Sequence, residues 1–216
     1  MYLPSQFAVE DLDQIAGFVD AVGAADIVTF DGVSMTSSLV PVIWDRASGG
    51  HGRLLAHIAL ANAQWRTTRT DVPALAIVHG PQAYISPSWY PSKHEHGRAV
   101  PTWNYVSVHF TGPITFHPDA EWLREIVTQL TDRHEEHRTD RWHVDDAPAA
   151  YIDGQLRGIV GLEIAITTVE AKAKLSQNRS PADQAGAVAG LRTDGDPQTA
   201  EVAQLMEQVG KNRLRR

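Results

Sequence analysis

The order in which helical and extended patterns follow one another constrains this chain more than any single motif. Residues 10–22 place Leu12, Ile15, Ala16, Val19 and Val22 at helical spacing. The patterns then turn extended. A β-type run over 26–30 closes on the turn signal Asp31-Gly32, and 34–44 continue as strand. The loop Ser48-Gly-Gly-His-Gly52 leads into a strand over 53–58 and a short helix over 59–65. Residues 74–79 are apolar enough for a buried strand, which Gly80-Pro81 ends or bends and 83–86 resume. Residues 87–99 read as an aromatic and charged loop. Across 104–110, Tyr105, Ser107 and His109 alternate with Val106, Val108 and Phe110, and Gly112-Pro113 breaks the strand. A second helix covers 119–133, with Trp122, Ile126 and Leu130 on its buried face, and a third covers 148–158. A long strand over 159–169 sets Val160, Leu162, Ile164 and Ile166 on one face. Ser180 as N-cap and Pro181 in the first turn open a helix through 191, and a terminal helix spans 197–208.

About six or seven strands at hairpin-like spacing, with helices collected at the ends, argue against a doubly wound parallel sheet. The expected class is mainly β with flanking helices (α+β), a small antiparallel β-barrel. A barrel removes exposed strand edges, and its mouth or a dimer seam can hold a ligand. The expected division is one domain over 1–192 and a helical tail over 193–216.

The charge balance, −7, opposes general nucleic-acid binding. The basic concentration is the end, Lys211-Asn-Arg-Leu-Arg-Arg216, which reads as a solvated terminus and is the testable element if DNA is a partner. The absence of cysteine excludes disulfides, thiolate metal sites and cysteine nucleophiles. With neither a signal core nor a span of apolar residues, the expectation is a soluble cytoplasmic protein.

Most catalytic signatures fail. His134-Glu-Glu-His137 looks superficially like a zinc-protease helix, but its histidines are three apart, not four, on a strongly charged helix end. His94-Glu-His96 lacks a third ligand nearby, so no metal site is expected. Glycine-rich dinucleotide and P-loop signatures are missing, as is the nucleophile elbow of α/β-hydrolases. No catalytic residue is assigned; His57 and His109 are proton-transfer candidates by type alone.

What remains is a set of unusual strings. Gly80-Pro-Gln-Ala-Tyr-Ile-Ser-Pro-Ser-Trp-Tyr-Pro-Ser-Lys93 and Val100-Pro-Thr-Trp-Asn-Tyr105 crowd aromatics, hydroxyls and a lysine together. Lys174-Leu-Ser-Gln-Asn-Arg-Ser180 adds cations, amides and hydroxyls. Aromatic faces sandwich planar ligands, and cations with hydroxyls hold phosphate. The alternative is a proline-rich hairpin whose aromatics cover a core edge. In Leu54-Leu-Ala-His-Ile-Ala-Leu-Ala-Asn-Ala-Gln-Trp65, His57 stands at a strand end and Asn62 at a turn before a helix, where backbone N–H groups favour phosphate.

These strings, with Met1-Tyr-x-Pro and Phe7 near the start, resemble the PaiB family in the same order over most of residues 1–192. That family is described as FMN-binding negative transcriptional regulators. The resemblance implies an antiparallel split β-barrel of the FMN-binding type, a homodimer with two FMN sites at the subunit seam, and a regulatory role. One string departs: the family's usual Arg-Ala-Asn-Pro is Leu60-Ala-Asn-Ala63 here, which removes a phosphate partner.

By residue type, Lys93, Lys174, Ser176, Arg179 and Thr102 suit an FMN phosphate. Trp89, Tyr90 and Trp103 suit the ring, and Asn104, Gln177 and Asn178 its polar edge. The competing expectations are a flavin protein with weak redox activity, a DNA- or protein-binding regulator, a haem-binding or haem-degrading barrel, and a dimeric interaction module without cofactor.

Overall fold

The computed structural model describes residues 1–214, with side chains through Gly210. The described residues form a six-stranded sheet of order β1-β10-β7-β6-β2-β3 and a four-stranded sheet of order β4-β5-β9-β8. In chain order these are β1 (Ala8–Val9), α1 (Leu12–Val22), β2 (Ala24–Phe30), β3 (Met35–Pro41), β4 (Ile43–Asp45), β5 (Arg53–Ala59), α2 (Gln64–Thr67) and β6 (Ala74–Ile85). There follow α3 (Pro91–His96), β7 (Thr102–Gly112), β8 (Ile114–His117), α4 (Ala120–Glu135), α5 (Ala149–Leu156), β9 (Ile159–Ala165), β10 (Thr168–Lys174), α6 (Pro181–Thr193) and α7 (Pro197–Leu214). The pairs β1–β10, β2–β3, β2–β6, β4–β5, β5–β9 and β8–β9 are antiparallel, as the hairpin-like spacing predicts. Among the described residues no helix is long and apolar enough to cross a membrane.

The chain divides into two compact units. One comprises Met1–Phe18, His79–Val108 and the residues from Glu170 onward; the other comprises Val19–Val78 and His109–Val169.

In the first unit, strand alternation sorts the side chains. Ala83 and Ile85 of β6, Val106 of β7, and Ala173 with Leu175 at the end of β10 enter a core completed by the helices. Ala187 and Leu191 of α6 lie four apart on one face, and α7 brings Val202, Ala203 and Met206. Val202, Ala203 and Met206, from the segment set apart in sequence as a tail, thus belong to this core. Ser180 caps α6 as expected, its Oγ accepting from the Asp183 N–H at 3.1 Å. The notch made by Gly186 and Gly190 receives Trp89: a Cβ at Gly190 would lie 2.2 Å from the indole.

In the second unit, α4 covers the four-stranded sheet. Asp119 caps it, accepting from the Trp122 N–H at 2.9 Å, and Ile126 and Leu130 pack on Leu55 with Trp122 alongside. Gly161 of β9 makes room for Trp122, since a Cβ there would lie 2.1 Å from the ring. His117 stacks on the same indole at 4.3 Å.

Several expected elements are redrawn. The strand expected over 34–44 is two strands in different sheets. Val42, fully buried, forms the corner and donates its N–H to the Gly23 carbonyl. The strand expected over 159–169 is likewise β9 followed by β10. Ile166 and Thr167 turn the corner with N–H bonds to Gly52 and Thr111. Pro41 ends β3 directly before the first corner, a breaker inside the run expected as one strand; the second corner carries neither glycine nor proline, so its apolar run reads as continuous. Of the two readings at Gly80-Pro81, an end or a bend, the end does not occur: β6 runs through from Ala74 to Ile85. The loop expected over 87–99 holds α3, started by Pro91 and ended by Gly97 at φ 69°. Ala59 still belongs to β5, residues 60–63 form the turn rather than helix, and α2 starts only at Gln64. The four residues of β8 are too few to show a period.

Candidate functional site

The side chains that alternate away from the helical core of the first unit build the candidate site. Gln82 and Tyr84 of β6, Trp103 and Tyr105 of β7, and Lys172 and Lys174 of β10 occupy the positions between the core residues. Trp103 and Tyr84 are 47% and 49% exposed, so two aromatic surfaces stand open to a ligand. The Trp103 indole is oriented by donating Nε1–H to Gln82 Oε1 at 3.0 Å.

The lysines are held differently. Lys174 donates from Nζ to Thr102 Oγ1 and to the Trp103 carbonyl. An ammonium has three donors, so one remains for a ligand. Burial pushes the Lys174 pKa down, and the neighbouring charges of Lys172 and Arg179 push the same way. Lys172 is 6% exposed. Its Nζ donates to the Tyr2 carbonyl at 2.9 Å and lies 5.3 Å from the ring centres of both Tyr2 and Tyr105. Glu170, on the same strand, is engaged by the Met1 ammonium. Desolvated cations beside open aromatic faces suit a flat anion.

The structure thus brings together Thr102, Trp103 and Lys174, three of the residues offered as candidates by type. Other candidates have structural partners. Asn104 is fully buried, exchanges hydrogen bonds with Ser176 Oγ at 3.0 and 3.1 Å, and lies 3.3 Å from the Met206 sulfur. Ser176 is buried at φ 63°, a left-handed turn that this bond pins. Gln177 closes the turn by accepting from the Leu175 N–H and donating to the Ala173 carbonyl. Tyr90 is fully buried beneath the Arg179 guanidinium, 5.0 Å from its ring centre, and its hydroxyl has no partner among the described residues. Trp89 fills the α6 notch. Lys93 is on α3, where Nζ reaches Ser88 Oγ at 3.3 Å, and Asn178 is exposed.

His57 and Asn62 belong to the second unit. Asn62 caps its turn: Oδ1 accepts from the Gln64 N–H and Nδ2 donates to Ser38 Oγ. His57 lies opposite Gly161 with its Nδ1 buried and unpartnered among the described residues, and burial lowers its pKa.

Gln82, Tyr84, Tyr105 and Lys172 are not among the residues expected from the sequence. Alternation would have found the first three, since each stands two positions from a residue of the same face. Lys172 is hidden because β10 begins inside the strand expected over 159–169.

Residues 1–168 match the family model described as "Putative FMN-binding domain". The chain is 31% identical over 214 residues to protease synthase and sporulation protein PAI 2 of Bacillus subtilis, covering 99% of this chain and all of that one. It is similar in structure to a conserved hypothetical protein of Mycobacterium tuberculosis, with a TM-score of 0.56 at 12% identity, over 83% of this chain and 94% of that one. The FAD and haem binding protein of Mycobacterium smegmatis gives a TM-score of 0.55 at 13% identity, over 83% of this chain and 79% of that one. At such identities the likeness carries the fold, a split barrel, and nothing about ligands.

Proposed function

We propose FMN as the ligand of this chain, from the premise that the chain belongs to the PaiB family of FMN-binding split-barrel proteins. The observation that carries the choice is the face shared by Trp103, Tyr84 and Lys174. The open aromatics suit a flat tricyclic ring, and the spare Lys174 donor with Thr102 suits a phosphate. Lys172 and Arg179 add positive potential, as their effect on Lys174 indicates. Bound flavin supplies electron exchange. Trp103 and Tyr84 would orient its ring, and Lys174 its phosphate. The role that fits is a homodimeric transcriptional or metabolic regulator with weak flavin-dependent redox activity.

Absorption and fluorescence titrations of the purified protein with FMN, riboflavin and haemin test the reading. FMN is expected to bind at one equivalent with a perturbed spectrum. Riboflavin, which lacks the phosphate, is expected to bind at least about tenfold more weakly, since a charge-assisted contact is worth about 1.5–3 kcal/mol. Trp103→Ala should weaken FMN about tenfold through lost aromatic contact. A Soret band with no flavin uptake, or equal affinity for riboflavin and FMN, would overturn the reading.

Support for the dimer comes from the second unit. The register Phe30↔Met35, Val28↔Leu75 and Asp26↔Leu39 puts these side chains on one face of β2, β3 and β6. Met35 and Leu39 are 72% and 70% exposed on β3, an edge strand. An apolar edge of this kind invites pairing or cover, and a second copy provides it. The double variant Met35→Asp, Leu39→Asp is expected to halve the mass in light scattering without lowering helix and strand content. An unchanged mass would place any dimer contact elsewhere.

A further inference from the structure

The first unit contains a cavity of about 900 Å3 between α6 and α7, on the other side of the core from the sheet face, although Arg179, which acts on Lys174 of that face, also lines it. Its floor is apolar. Ala185, Val188 and Ala189 follow at helical spacing on α6, and Met206 rises from α7. Alanines leave the space open, whereas the glycines on the other side of α6 are filled by Trp89. The volume lies within the range of small-molecule sites, about 300–1,000 Å3.

The rim is charged unevenly. Arg192 is neutralised by Glu207, which accepts from its Nη2 at 2.8 Å and Nε at 3.1 Å. At the other end Arg179 lines the cavity, its guanidinium over the Tyr90 ring. The start of α6, at Ser180 and Pro181, lines the same end, so the helix dipole adds to the positive potential there, while the buried Asp183 carboxylate of the first turn, bonded to Ser92, offsets part of it. An apolar trough with one cationic end complements a molecule that is apolar along its length and anionic at its tip.

We propose that this cavity is a binding site for an amphipathic monocarboxylate, with the carboxylate at Arg179 and the hydrocarbon or aryl body on Ala185, Val188, Ala189 and Met206. Met206 also touches Asn104, so the occupant would contact the side chain that supports the residue after Trp103.

Calorimetric titration of the full chain with decanoate, decanol and decyltrimethylammonium, each below its micelle threshold, tests the proposal. Decanoate is expected to bind at one equivalent, decanol at least about tenfold more weakly, and the cation not at all. Ala185→Trp fills the trough from an exposed helix position and should abolish decanoate uptake. Arg179→Gln should erase the preference for decanoate over decanol while retaining weak binding of both. Equal binding of decanoate and decanol by the native protein, undiminished uptake by Ala185→Trp, or a native protein that takes up none of the three would overturn it. The last outcome includes a cavity closed by a second copy of the chain.

Discussion

Lys174→Ala is expected to weaken FMN binding by about one to two orders of magnitude and to leave riboflavin binding unchanged. The magnitude follows from the loss of a charge-assisted hydrogen bond to phosphate, about 1.5–3 kcal/mol, at 1.4 kcal/mol per decade. The riboflavin arm separates a phosphate contact from damage to the sheet, which would lower both affinities. The pH profile gives a second signature. Burial, then the charges of Lys172 and Arg179, lower the Lys174 pKa from its ordinary 10.5. The free protein therefore loses this charge as pH rises through that lowered value, and FMN affinity should fall there. Lys174→Arg, which stays protonated, should remove the fall. On the acid side, affinity should rise through about pH 6 as the FMN phosphate takes its second charge. The effect on folding has the opposite sense to that of a paired lysine. A lowered folded pKa means the protonated form destabilises the native state below that pH. Stability is recovered as pH climbs from the lowered value toward 10.5. Equal loss of FMN and riboflavin in Lys174→Ala would remove Lys174 from the phosphate.

The elements legible in the sequence were those with long periods or explicit stops. The helices α1, α4 and α6 showed through their apolar spacing and caps, and β5 and β7 through their apolar or alternating runs. The two sheet corners were missed because Val42 and Ile166 are as apolar as the strands they separate, although Pro41 directly before Val42 was a local sign of the first. Their backbone partners, Gly23 and Gly52, are far away in sequence. A local pattern cannot report a hydrogen bond made across a corner.

Residue types identified the site region but not the division of labour within it. Both the exposed face and the core of the first unit draw on the same strings, and the strand period separates them: Trp103 outward, Asn104 inward. In Lys174–Ser180 the Ser176 hydroxyl expected at the phosphate and the Gln177 amide expected at the ring's polar edge close a left-handed turn. The reason is tertiary, since Ser176 bonds Asn104 on another strand. The lysines are legible as a pair only once β10 is known to start at Thr168, which places Lys172 and Lys174 on one side.

Trp89 is where type and structure give different readings, and glycine substitutions decide between them. Gly186→Ala and Gly190→Ala are each expected to destabilise the protein by about 3 kcal/mol or more, at the upper end for overpacked cores. For a chain this size that is a fall in melting temperature of about 6–12 °C. At Gly186 the new methyl would lie 2.0 Å from the Trp89 carbonyl oxygen, which cannot rotate away. At Gly190 it would lie 2.2 Å from the indole. At Gly17, inside α1, a Cβ would meet nothing within 4 Å, so Gly17→Ala should instead stabilise by about 0.5–1 kcal/mol through helix propensity. The same chemical change thus carries opposite signs in one unit. Combining Gly190→Ala with Trp89→Ala should recover most of the loss attributable to Gly190→Ala, because the clashing ring is gone. Trp89→Ala alone should lower stability while leaving FMN affinity of the folded protein within about twofold, a change of about 0.4 kcal/mol. If Trp89→Ala weakened FMN as much as Trp103→Ala does, the indole in the α6 notch would belong to the ligand as well as to the fold.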